Sequence, residues 1–95
     1  ITKEFFDKDA LIVENSGIKS VSLSKDCEPV VEVMFKAPVF GLWSAAGKGV
    51  PFVCIEPWYG RTDAIDSDGS LTAREWGNEL AGGETFTGGY RCKFL

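Results

Sequence analysis

Residues 52–61, FVCIEPWYGR, form the stretch around which the rest of the chain is arranged. The first four are apolar and partly β-branched, which predicts a buried strand. Pro57 is expected to end this strand, because proline cannot donate to a sheet ladder. Since side chains alternate along a strand, Phe52, Cys54 and Glu56 are expected to share one face. The sequence therefore predicts a carboxylate at the C-terminal end of a hydrophobic strand.

Glu56 is followed almost at once by the aromatic residues Trp58 and Tyr59. A partly buried carboxylate is a useful general base near neutral pH. The alternatives are a glutamate at the end of a strand that points into water, and a glutamate in a structural ion pair. A catalytic base at Glu56 is thus one hypothesis among three.

The length, composition and charge of the chain indicate one small globular domain and argue against some kinds of partner. The chain has 95 residues, the size of one small domain, and its 44% hydrophobic and 13% aromatic residues suffice for a core. Its net charge of −4 argues against nucleic-acid or anionic-membrane partners, which bind basic patches. No apolar run approaches the roughly 18–20 residues of a membrane span.

The three cysteines, Cys27, Cys54 and Cys92, are odd in number and widely spaced. This pattern favours reduced, buried thiols in a reducing compartment such as the cytoplasm over a disulfide framework. The chain contains no histidine, which argues against a zinc site and against any Ser-His or Cys-His catalytic pair within it. No motif indicates a cofactor.

Five further short strands are predicted, over residues 10–13, 18–23, 30–35, 39–43 and 90–94. The turn-forming residues 15–17 predict a hairpin between the first two strands, and the polar, proline-containing residues 24–29 predict a loop. No segment has helical periodicity, and no internal repeat is present. About six short strands with turns between them indicate an all-β fold, an antiparallel β-sandwich or part of one.

In the last strand Tyr90, Cys92 and Phe94 alternate with Arg91 and Lys93. This alternation predicts a half-buried strand with a basic face in solvent. A chain of this length buries only a limited core, so some sheet edges are expected to stay open. We therefore expect self-association through open strand edges, or pairing with the rest of a longer parent chain.

Residues 66–75 resemble most of an EF-hand calcium loop. The first ligand position, however, is Ala64, and Pro57 and Gly60 exclude the helix that precedes such a loop. An ordinary Asp-Gly turn is the favoured interpretation.

Several segments, taken in order, resemble a known family. They are FDKDALI at 6–12, FGLWS at 40–44, FVCIEPWYG at 52–60, REWGNEL at 74–80 and GETF at 83–86. Together they resemble the C-terminal part of the aldose 1-epimerase (galactose mutarotase) family, in its bacterial subgroup with a Glu-Pro-Trp motif.

This resemblance implies that residues 1–95 are the C-terminal segment of a large, mutarotase-like β-sandwich domain, the supersandwich of that family. It implies interconversion of the α and β anomers of an aldose, a small-molecule sugar, by ring opening and reclosure. The family's catalytic base corresponds to Glu56. Its two histidines, one of which protonates the ring oxygen, have no counterpart here, so the segment alone is expected to be inactive.

A sugar-binding site also needs a flat apolar surface against which the sugar ring can pack. Trp58 and Trp43 are the candidates, because an indole offers a flat apolar face and one N–H donor; the alternative is that they are core residues. Asp63 is a candidate acceptor for a sugar hydroxyl, with a solvated loop aspartate as the alternative. Trp76 and Phe86 are assigned to the core.

The sequence is therefore compatible with three alternative functions. The first is an epimerase segment whose base is Glu56 and whose acid lies elsewhere. The second is a non-catalytic carbohydrate-binding module that uses Trp43, Trp58 and Tyr59 as a platform. The third is a structural or regulatory β-domain.

Overall fold

The computed structural model describes residues 1–95 and contains six β-strands and no helix. The strands are β1 Leu11–Glu14, β2 Ser20–Lys25, β3 Glu28–Phe35, β4 Val39–Trp43, β5 Cys54–Trp58 and β6 Tyr90–Phe94. Sheet I has the order β1-β4-β5 and sheet II the order β2-β3-β6, with every pair antiparallel. The predicted all-β, antiparallel, sandwich-like fold is confirmed.

The strand that contains Glu56 differs from its prediction at both ends. β5 begins at Cys54, and Pro57 lies inside it, opposite Phe40, instead of ending it. The position is tolerated because β5 is an edge strand of sheet I, where a missing N–H donor costs little. All five residues of β5 are half-buried, so the predicted full burial is wrong.

The predicted hairpin between the first two strands is also wrong. β1 pairs with β4 in sheet I, whereas β2 pairs with β3 in sheet II. Asn15 and Gly17 do adopt positive φ, at 51° and 72°, but they carry the chain from one sheet to the other. Local turn chemistry identifies a bend without specifying which strands pair across it.

A hairpin forms instead where residues 24–29 predicted a loop. Asp26 and Cys27 have φ of 52° and 67°, the pattern of a two-residue type I′ turn between β2 and β3. The register shifts between Leu23 and Ser24, which places Pro29 opposite Ser24. An Asp-Cys pair lacks the glycine that normally marks this turn.

The core lies where the two sheets meet. Val33 and Phe35 of β3 pack with Ala37 and Phe40, and the Phe35 and Phe40 ring centroids are 5.3 Å apart. Only 7 of the 95 residues are buried. The core is therefore small and concentrated around the β3–β4 connection.

The surface is correspondingly large. The chain exposes 7380 Å², whereas a compact monomer of its mass exposes about 5,400 Å². Its radius of gyration is 15.9 Å, against about 12 Å for a compact domain of this length. About 2,000 Å² of surface is thus exposed beyond what a compact fold of this size would leave.

β6 forms as a strand, but its predicted half-burial is wrong. Tyr90 is 66% exposed and Phe94 81% exposed, because β6 pairs with β3 while its apolar side chains remain uncovered. The predicted burial of the thiols also fails for Cys92 on β6 and for Cys27 in the β2–β3 turn, which are exposed. Cys54 is half-buried, and all three cysteines are free.

A long connection without regular structure joins β5 to β6. Within it Gly69 has a φ of 82°, and the Ser70 N–H donates to Asp68 Oδ1 over 2.8 Å, which confirms the predicted Asp-Gly turn. No group of three His, Cys, Asp or Glu side chains is placed to hold a metal ion. The structure likewise contains no helix with the length and hydrophobicity that a membrane span needs.

Candidate functional site

The outer face of sheet I gathers most of the residues that the sequence singled out. The β4–β5 register aligns Gly41 with Glu56, Trp43 with Cys54 and Val39 with Trp58. Directly paired residues of an antiparallel ladder project from the same face. The alternate residues of β4 and β5 project to the other side, where Phe40, Leu42 and Ile55 join the core.

We call this outer surface the Trp face and define it by Trp43, Glu56 and Trp58, with Gly41 and Ile12 beside them. Ile12 of β1 pairs with Gly41, which in turn pairs with Glu56, so the three form one row across the sheet. Trp43 and Trp58 flank this row, one on each side. Four residues of strand separate the two tryptophan rows, about 13 Å.

Gly41 makes room for the Trp58 indole. A Cβ atom built at Gly41 would lie 2.9 Å from Cζ2 of Trp58, closer than real Cβ contacts come. The indole therefore lies against the backbone of β4. Sequence reasoning missed Gly41, although a glycine inside a strand often marks close approach by another group.

The Trp58 indole is also tied to the carboxylate. Its Nε1–H donates to Glu56 Oε2 over 3.2 Å. Glu56 is half-buried and takes part in none of the ion pairs of the structure. Its second oxygen, Oε1, accepts no hydrogen bond from the protein. The carboxylate is thus oriented by one neighbour and retains one oxygen that can accept a proton.

The two tryptophans are half-buried on the outer face, outside the sandwich core. The Trp43 ring contacts Phe52, with centroids 6.0 Å apart. Val39, the residue paired with Trp58, is itself fully buried on this face, so half-burial leaves only part of each indole accessible to a ligand. Trp76 is half-buried in the long connection and Phe86 is 45% exposed, so their assignment to the core is wrong.

Tyr59 does not belong to the Trp face. Its ring packs against the core, and its hydroxyl donates to the Gly89 carbonyl over 2.9 Å and accepts from the Gly89 N–H over 3.2 Å. The Phe86 ring meets it edge-on at 5.5 Å. The hypothesis that Tyr59 forms a sugar platform with the tryptophans is therefore wrong, because its side chain projects to the opposite side of the sheet.

Asp63 lies in the connection after β5. It accepts a 2.6 Å hydrogen bond from Arg74 Nε, its one ion pair. Both residues line an open cleft of about 320 Å³ in this connection. Nearby, Arg61 pairs with Glu14 at the end of β1 and lies 3.6 Å from Glu75. The structure thus brings Glu56 and Trp58 into contact and places Trp43 on the same face, while Asp63 belongs to a separate ion-paired loop.

We compared the chain with protein families, curated proteins and solved structures. No family model matches, and neither curated proteins nor solved structures give a significant match.

Proposed function

We propose that the Trp face binds an aldose sugar and that Glu56 is the general base of an aldose 1-epimerase-like reaction. The observation that carries this proposal is the Glu56–Trp58 pair, in which one carboxylate oxygen is held by an indole N–H and the other is unbonded. The position of Glu56 in the Glu-Pro-Trp motif supports the same role.

In the proposed reaction Glu56 Oε1 takes the proton of the anomeric hydroxyl. The electron pair of that O–H bond forms the C1 carbonyl as the bond between C1 and the ring oxygen breaks, and an acid delivers a proton to the ring oxygen. Rotation about C1–C2 and the reverse steps close the ring as the other anomer. Because the chain contains no histidine, we assign the acid to a residue outside 1–95.

Trp43 and Trp58 are proposed to contact the apolar C–H faces of the sugar. The Trp58 N–H is already bonded to Glu56, so this tryptophan offers its ring face and not its donor. A sugar contact by Asp63 would first require its release from Arg74.

A non-catalytic carbohydrate-binding module is the second candidate. It needs no acid within residues 1–95, where the chain has no histidine, and it uses the same half-buried tryptophans. Both candidates predict sugar binding at the same place, and only the first predicts mutarotation when the missing acid is supplied.

Indole N–H signals in an ¹H–¹⁵N spectrum test the shared step. Glucose or galactose at millimolar concentration should shift the Trp43 and Trp58 signals saturably, and Trp76, in the long connection, serves as the internal reference. Unchanged Trp43 and Trp58 signals, or equal shifts of all three, would exclude the Trp face as a sugar site. Polarimetry on a longer protein that includes upstream histidines then separates the epimerase from the module.

A further inference from the structure

The open edge of β6 combines two features that no proposed sugar site uses. Along one side β6 pairs with β3, and its other side has no partner strand. Tyr90, Cys92 and Phe94 lie in register with Phe35, Val33 and Val31 of β3. The apolar surface of β3 thus continues onto β6, where it is exposed.

The opposite face of the same strand is cationic. Arg91 pairs with Met34 and Lys93 with Glu32 of β3, and both cations lie on the exposed strand. An antiparallel strand added here would place alternate side chains beside the aromatic rings and beside the cations. A partner segment that alternates apolar and acidic residues would match both sets of side chains on β6.

We propose that β6 is a docking edge for an extended segment of alternating apolar and acidic residues, which adds to sheet II as a fourth strand. Backbone hydrogen bonds of the ladder would supply affinity, and the pairs with Arg91 and Lys93 would supply selectivity. The other edges are less suited: β5 contains Pro57, β2 has an irregular register near Ser24, and β1 carries no cation.

A second copy of β6 does not fit this edge. Antiparallel pairing that keeps the aromatic residues on one face sets Arg91 or Lys93 of one copy opposite Arg91 or Lys93 of the other. Like charges directly opposite each other destabilise a strand pair. An acidic segment turns the same two positions into attractive pairs.

The size of the exposed surface is sufficient for such a partner. The chain exposes about 2,000 Å² more than a compact fold of its mass, and a stable interface buries about 800 Å² on each partner. The excess is spread over the whole chain, and the exposed side chains of Tyr90 and Phe94 place part of it on β6.

A pair of synthetic peptides tests the proposal. The first alternates isoleucine and glutamate over eight residues, and the second replaces each glutamate with lysine. By fluorescence anisotropy the glutamate peptide should bind at least about tenfold more tightly than the lysine peptide. The double variant R91E/K93E should reverse this preference, whereas K36E/K48E, with the same change in net charge on exposed loops, should retain it.

The free thiols report where the peptide binds. Occupancy of β6 should slow alkylation of Cys92 and leave that of Cys27, in the β2–β3 turn, unchanged. Equal affinity for the two peptides, binding that R91E/K93E does not alter, or an unprotected Cys92 would each overturn the proposal. So would a dimer in which β6 of one copy pairs with β6 of the other, because it would show that a second copy occupies the open edge.

Discussion

The absence of a side chain at Gly41 allows the Trp58 indole to lie against the backbone of β4 while its Nε1–H donates to Glu56. The Cβ of any other residue would lie 2.9 Å from the Trp58 ring. The ring is not the flexible end of a long side chain, and Glu56 also holds its Nε1–H. A side chain at position 41 and the present orientation of Trp58 are therefore incompatible.

Replacing Gly41 with alanine should displace Trp58 and weaken its hydrogen bond to Glu56. We expect a shifted Trp58 indole N–H signal and a loss of about 1–3 kcal/mol in the free energy of unfolding, the usual scale for overpacking. Gly82→Ala is the control, because a Cβ there meets nothing within 4 Å. An unchanged Trp58 signal in Gly41→Ala would show that the indole does not depend on this glycine.

Glu56 is the general base of the proposed reaction. In a longer protein with mutarotase activity, Glu56→Gln should lower kcat by ~10²-fold or more, since a positioned base is lost. The glutamine oxygen can still accept the Trp58 N–H, so the fold should persist. Glu75→Gln in the loop is the control and should retain the rate; a near-normal kcat for Glu56→Gln would remove this residue from the mechanism.

Among the secondary-structure elements, the β2–β3 hairpin is held by a turn in which Asp26 and Cys27 both adopt positive φ. This conformation strains an L-residue with a side chain and suits glycine. The strain at Cys27 is a local feature that the rest of the hairpin has to offset.

Cys27→Gly should therefore raise the free energy of unfolding by about 1 kcal/mol, measured by urea denaturation. The matched variant Cys92→Gly removes the same side chain from the interior of β6, where φ is not positive, and should lower stability. A destabilising effect of both substitutions would show that the turn is not strained at Cys27.

The strands themselves were largely predictable, because apolar runs such as 30–35 and 39–43 are decided by local composition. The pairing of the strands was not predictable, because the bend at Asn15 does not reveal that β1 and β2 enter different sheets. At the candidate site, alternation along β5 placed Glu56 correctly relative to Cys54. The contact of Trp58 with Gly41 depends on the register of β4 against β5, and this register is set by the whole of sheet I.

At the scale of the whole molecule, the large exposed surface includes open strand edges through which copies of the chain can associate. β1 is the edge without proline, register shift or cation, and its Ile12 is 42% exposed. Open edges of this kind pair with other strands. β1 is therefore the expected site of self-association.

We expect the chain to self-associate at micromolar concentration and Ile12→Lys to reduce this association, as measured by sedimentation velocity. Ile18→Lys is the control, because Ile18 is exposed to a similar degree, 41%, but lies outside every strand. A monodisperse monomer with sharp cooperative unfolding would show instead that residues 1–95 form a self-sufficient domain.

The paired hydrogen bonds between the Tyr59 hydroxyl and Gly89 bear on the order of folding. They join residues 30 positions apart, at the end of β5 and just before β6. Closing a loop of that length costs about 3 kcal/mol of chain entropy, which contacts within the loop must offset. We expect β6 to dock last, after the β2–β3 hairpin has formed from neighbouring residues. Until then the edge of β3 that β6 will cover is open to the β6 strand of another molecule. Once β6 has docked, the bonds between the Tyr59 hydroxyl and Gly89 slow its release and so limit that exchange.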